Sequence, residues 1–115
     1  MRVLFIFILL SLFAMNVYAS NYHFLQASAI TFFNDQDKDM MEANMIKALN
    51  QFPDGKKIMW KNPQSGNWGY VIPSRTTYKR GMRCRQLKIY NNGRGVEGEA
   101  QYQFCKMDNR WRIVS

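Results

Sequence analysis

Hydrophobic positions along the 115 residues fall into one continuous run, one helical stripe and a series of short strand-like runs. The continuous run is Val3 to Ala14, twelve residues broken only by Ser11. It follows the basic start Met1-Arg2 and precedes Val17-Tyr18-Ala19, a small-x-small sequence ahead of Ser20. That layout predicts a signal peptide over residues 1–19. A bilayer crossing needs about 20 apolar residues, so the run is too short to span, and an uncleaved anchor is the alternative. Residues 20–33 are apolar without a clear period and read as a short helix or an extended arm. Asn34-Asp35-Gln36-Asp37 then looks like a helix start, with Asn34 or Asp35 able to cap free backbone N–H groups. Asp35, Asp37 and Asp39 add negative charge where the helix dipole favours it. Met41, Met45, Ala48, Leu49 and Phe52 fall at i, i+4, i+7, i+8 and i+11, one apolar stripe that ends at Pro53-Asp54-Gly55. Such a stripe packs against a sheet, with a methionine-rich binding groove as the rival.

The remainder predicts strands. Lys57-Ile58-Met59-Trp60 is one, and Trp68 to Ile72 another, joined by the turn-forming Asn62-Pro63-Gln64-Ser65-Gly66-Asn67. Pro73 is expected to break the ladder there. Arg83 to Tyr90 and Glu99 to Cys105 follow, with a turn over Asn91-Asn92-Gly93-Arg94-Gly95, and Trp111 to Val114 is the last strand. No linker or internal repeat divides the chain, so residues 20–115 read as one domain.

Export changes how the two cysteines are read. In an oxidising compartment an even count points to a disulfide. If Arg83–Tyr90 and Glu99–Cys105 form a hairpin, directly opposed residues keep a constant index sum. Opposing Cys84 to Cys105 centres the turn between Arg94 and Gly95, inside the glycine-rich segment. The rival is a reactive thiol, and the single histidine available as its base is His23.

Charge narrows the partners. The chain carries 16 Lys and Arg against 8 Asp and Glu. Removing residues 1–19 takes away one basic residue and leaves 96 residues with a net charge of +7. Residues 34–55 are net −3, whereas residues 56–115 are net +10. A basic exported domain suits anionic partners such as lipopolysaccharide, wall polymers or acidic proteins, and nucleic acid is not expected behind a leader. Attraction between the two halves is the plainer explanation of the asymmetry.

Catalytic chemistry finds little support. One histidine leaves no His-based metal cluster, no Ser/His/Asp set forms without His23, and no glycine-rich turn suggests a nucleotide. No cofactor and no metal are expected. Glu97 and Glu99 alternate on one strand face, yet paired acid/base carboxylates need a cleft and two different environments. The basic residues offer a better site: Lys79, Arg80, Arg83, Arg85 and Lys88, joined by Arg110 and Arg112. Arginine forks match phosphate and carboxylate groups, and Tyr70, Tyr78 and Tyr90 supply neighbouring rings. A solvated face with edge charges that block aggregation is the alternative. The second candidate is the loop of Asn62, Pro63, Ser65, Gly66 and Asn67 beside Trp60, read either as a binding loop or as a self-bonded loop whose tryptophan closes the core.

These landmarks together resemble a known family. Asp35-x-Asp37 precedes a helix with Ala48-Leu49 and Pro53-x-Gly55. Trp60-x-Asn62-Pro63-x-Ser65-Gly66-x-x-Gly69, Pro73 and Tyr78 follow. Gly81-x-x-Cys84-Arg85 and Phe104-Cys105-Lys106-x-Asp108-x-x-Trp111 complete the pattern. In order and spacing the chain from about Ile30 resembles the bacterial surface-antigen family typified by the C-terminal domain of the rickettsial 17-kDa surface antigen. The resemblance implies an exported envelope or surface protein with no established catalysis. It also offers a third reading of Arg85, as a residue tying the structure together through Asp108. The rickettsial antigen that typifies the family has a lipidated cysteine after its leader and a glycine-rich segment ahead of the shared domain, and this sequence shows neither. The expectation is therefore a periplasmic or released protein, not lipid-anchored through an N-terminal cysteine and with no transmembrane span after cleavage.

The sequence thus predicts an α+β domain, with one amphipathic helix on a four- to five-stranded antiparallel sheet pinned by Cys84–Cys105. The expected function is non-catalytic binding of an anionic envelope polymer or a protein. A secreted or periplasmic inhibitor or interaction factor acting on a host or cell-wall enzyme through the Asn62–Asn67 loop is the alternative.

Overall fold

A reciprocal pair of hydrogen bonds opens the helix. The structure, a computed structural model, describes residues 29–115. The expected leader, its cleavage point and His23 lie outside the described residues. A single 3-10 turn (Ile30–Phe32) leads into helix α1 (Asp35–Gln51). Asn34 is its N-cap: its side chain accepts from Asp37 N–H at 2.8 Å, and Asp37 accepts from Asn34 N–H at 2.9 Å. Met41, Met45, Ala48 and Leu49 are buried along the predicted stripe, with Phe52 half-buried as the C-cap.

Five strands follow as an antiparallel meander in sequence order: β1 (Ile58–Lys61), β2 (Trp68–Lys79), β3 (Met82–Gly93), β4 (Val96–Met107) and β5 (Arg110–Ile113). Three two-residue turns close the last four strands. Their central pairs all have positive φ: Arg80 (52°) and Gly81 (77°), Arg94 (51°) and Gly95 (81°), Asp108 (51°) and Asn109 (62°). That conformation matches the right-handed twist of the flanking strands, and it keeps each hairpin tight. Cys84 stands directly opposite Cys105, as the turn centre requires, and the two are joined at S–S 2.06 Å. The α+β architecture predicted from the pattern is the one observed.

Two sequence expectations are corrected. The β3–β4 turn was expected over five residues, but Asn91, Asn92 and Gly93 continue the strand and only Arg94-Gly95 turns. Pro73 does not end β2; it pairs with Leu87 and is buried. The N–H and C=O of one strand residue point the same way. Pro73 C=O accepts from Gly55 N–H at 2.7 Å, on the side away from β3, so its missing N–H belongs to that side too. The β2–β3 ladder loses nothing. One extra residue then enters β2 between Ser74 and Thr77, with Arg75 at φ 49°, and re-aims Thr76 toward the helix side.

The core lies between α1 and the helix-facing positions of β1, β2 and β3. It comprises Met41, Met45, Ala48, Leu49, Trp60, Val71, Leu87 and Ile89, with Ile30, Phe33 and Phe104. Phe33 meets Trp60 edge-on at 5.3 Å, which closes the end near the helix start. Gly69 has no side chain for a reason. A Cβ there would lie 2.7 Å from both Trp60 Nε1 and Asn91 Oδ1. Tyr102 and Trp111 pack at the margin of this core.

Candidate functional site

Two buried charged residues hold the two ends of α1, and they decide which sequence candidates remain available. Asp37, fully buried, receives four donors. These are Asn34 N–H, Asn62 Nδ2 (2.8 Å), Ser65 Oγ (2.6 Å) and Asn67 Nδ2 (2.8 Å). Burial alone would raise its pKa, but the bonds from Ser65, Asn67, Asn34 and Asn62 outweigh it and hold the carboxyl below its ordinary value. The Asn62–Asn67 loop is thereby bound to the helix start, and Asn67 Oδ1 accepts from Arg94 N–H at 3.0 Å. Asn62 and Asn67 are buried in this network. Pro63, Gln64, Ser65 and Gly66 form the exposed rim. Trp60 is buried in the core beneath it.

Arg85 does the same at the other end. It is 1% exposed, and its five N–H donors meet five acceptors. Nε reaches Thr76 Oγ1 at 2.7 Å; Nη1 reaches Ala48 O (3.0 Å) and Leu49 O (2.9 Å). Nη2 reaches Phe52 O (2.7 Å) and Asp54 Oδ1 (2.9 Å). The guanidinium thus satisfies the free carbonyls of Leu49 and Phe52 and shares Ala48 O with Phe52 N–H at the helix C-terminus, where a positive charge is favoured. Arg85 therefore leaves the list of residues free to meet a ligand, and its acidic partner is Asp54, not Asp108. Bonds from Thr76 and Arg85 lower the Asp54 pKa to about 2.

The other basic candidates separate by face. On β3 the odd positions face the helix side and the even positions face away, a pattern carried across the sheet by the register. Thr77, Cys84, Cys105 and Arg112 form one row across four strands on the face away from α1. Lys79 and Arg110 stand one step further out on the same face, and Lys79 Nζ lies 3.5 Å from Gln103 Oε1. Arg80 is at the apex of the β2–β3 turn. Arg83 pairs with Tyr78, 73% exposed, on the opposite face beyond the end of the helix. Lys88 lies further along β3 and pairs with Glu99 at 3.0 Å. Lys79, Arg80, Arg83, Arg110 and Arg112 thus gather at the disulfide end of the sheet. Among the described residues the ion pairs are Arg85–Asp54 and Lys88–Glu99, so none joins these five to an acid.

Sequence reasoning missed Asp37, Asp54 and Thr76 as binding partners within the fold. The signal for Asp37 was present, because Asn34-x-x-Asp37 has the spacing of a capping box. Thr76 had no signal, since the extra residue in β2 aims it. Glu97 accepts from Tyr90 Oη at 2.7 Å. Tyr90 stacks on Tyr70 at 4.8 Å and meets Trp68 at 5.2 Å on the face away from α1. No cluster with metal-ligand geometry occurs among the described residues. No helix among them is long and apolar enough to cross a membrane.

The chain is 32% identical over 85 residues to the 17 kDa surface antigen of Rickettsia conorii, covering 71% of this chain and 53% of the relative. It is 33% identical over 88 residues to that of Rickettsia prowazekii, with the same coverage. The Rickettsia bellii protein is 33% identical over 85 residues. The chain spans about half the length of the curated relatives it matches. No solved structure matches it. The family model described as 17 kDa outer membrane surface antigen matches residues 47–112, from the last turns of α1 through the disulfide hairpin to β5. The chain belongs to the 17 kDa outer membrane surface antigen family.

Proposed function

We propose that this protein is a non-catalytic, exported envelope protein that holds an anionic envelope polymer against the disulfide end of its sheet. The supporting observation is the gathering of Lys79, Arg80, Arg83, Arg110 and Arg112 at that end with no acidic partner among the described residues. The family relationship supports an exported or surface location. The proposed location is the periplasm or the cell surface.

The test is binding of the exported protein to immobilised lipopolysaccharide across a salt series. Affinity falls at least about tenfold as ionic strength rises from about 0.01 to about 1 M and the Debye length shrinks from about 30 to about 3 Å. Lys79→Ala/Arg80→Ala/Arg83→Ala lowers binding further while the unfolding midpoint stays within error. Salt-insensitive binding, or full binding by the triple variant, rejects the reading. A second reading, an inhibitor that inserts the Asn62–Asn67 loop, is favoured by the rigidity that Asp37 gives the loop rim.

A further inference from the structure

The two edges of the sheet are treated differently. β1 is short, and α1 covers part of its outer edge, where Asn44 Nδ2 donates to Ile58 O at 3.0 Å. Among the described residues nothing pairs with the outer edge of β5. Val114 N–H donates to Gln103 O at 2.9 Å and so faces β4. By alternation, the N–H and C=O of Trp111 and Ile113 face outward. Their side chains lie on the helix side, with Phe104, while those of Arg110 and Arg112 lie on the other face. Beside the edge, between α1 and the β4–β5 turn, runs a groove of about 360 Å³ lined by Glu42, Ile46, Asn50, Asn109, Arg110 and Trp111. Ile46 is 45% exposed there, on the side of the helix away from the core.

We infer that β5 is a docking edge for an extended segment of another protein in which acidic and apolar residues alternate. The segment adds a sixth strand, bonding its main chain to Trp111 and Ile113. Its acidic side chains lie beside Arg110 and Arg112, and its apolar side chains enter the groove over Ile46 and Trp111. Charge disfavours pairing of β5 with β5 of a second copy of this chain. Antiparallel self-pairing through β5 sets Arg110 and Arg112 against the same arginines of the other copy, and like charges opposite one another destabilise a strand pair. The inference does not rest on the anionic-polymer reading, because it requires main-chain bonds that a polymer does not use.

The probe is a blocked peptide of four Glu-Val repeats, with a Lys-Val peptide and a Glu-Val peptide N-methylated on every valine as controls. Bound Glu-Val peptide slows hydrogen exchange at the Trp111 and Ile113 amides and leaves Leu87 unchanged. Arg110→Glu/Arg112→Glu weakens it about tenfold, a reasonable loss for reversing two partly exposed charges. Ile113→Pro removes an outward N–H without touching a β4–β5 bond, and it abolishes the protection. If that variant misfolds, the N-methylated peptide against the unaltered protein decides the same point. Equal binding by the N-methylated peptide, binding by the Lys-Val peptide, or no protection at Trp111 and Ile113 overturns the inference. Lys79→Ala/Arg80→Ala/Arg83→Ala lowers lipopolysaccharide binding and spares the peptide, so the two ideas fail separately.

Discussion

Arg85 is the residue on which most of the fold's polar economy turns. A buried guanidinium is costly unless its donors are met, and here each of the five has an acceptor. Four belong to the region from Ala48 to Asp54, so one side chain fixes the end of α1 to β3. Removing it strands the carbonyls of Leu49 and Phe52, whereas Ala48 O keeps the Phe52 N–H. Arg85→Ala is therefore expected to lower stability by about 2–4 kcal/mol, read from urea unfolding, since two carbonyls lose their donors while the half-exposed Asp54 is re-solvated. Arg85→Lys rescues little of this, since an ammonium cannot fork to the same acceptors. A loss below about 1 kcal/mol for both variants contradicts the account. Asp37 is the counterpart at the helix start, with four donors on two oxygens. The residue types at both ends were visible in the sequence, but a basic cluster gives no indication of which of its members turns inward.

At the scale of elements, the β3–β4 hairpin carries the clearest link between sequence and structure. Its two-residue turn, its register and its disulfide all specify one pairing, and a one-residue slip would exchange the two faces of β3. Reducing Cys84–Cys105, which are 21 positions apart, removes roughly 3 kcal/mol of loop-closure restraint on the unfolded chain. The expected result is a lower thermal midpoint in reductant and in Cys84→Ala/Cys105→Ala, with the far-ultraviolet spectrum unchanged below that midpoint. An unchanged midpoint contradicts it. The strands on either side of this hairpin were read too short. The periodic signal stops at Pro73 and at Asn91, yet the chain stays extended through both. Proline is harmless where its N–H side carries no strand, and only the position of β1 determines that.

The whole molecule is polar in charge as well as in layers. Acidic residues lie at the start of α1, and five basic residues stand at the disulfide end beyond its C-terminus. Two carboxylates, Asp37 and Asp54, tie the helix to the sheet, and both titrate below the ordinary value of 3.8. A group whose pKa is lower folded than unfolded stabilises the fold above its unfolded value and loses that contribution as pH falls. Stability is therefore expected to be flat near neutrality, to decline below about pH 4, and to keep declining toward pH 2 as Asp54 protonates. Asp54→Asn flattens the lower part of that curve. A stability that rises on acidification rejects the assignment.

The sequence by itself determined what is periodic, local or covalent: the capped helix and its buried stripe, the strands, the hairpin centre, the cysteine pair and the family. Each of these is written in residues close together or in a spacing that repeats. Only the tertiary structure decided that Arg85 serves the helix, that Asp37 holds the Asn62–Asn67 loop, that Pro73 belongs inside β2, and that no strand among the described residues pairs with the outer edge of β5. Each of those depends on which face is covered and which neighbour is absent, and burial and edge position arise only when distant segments pack.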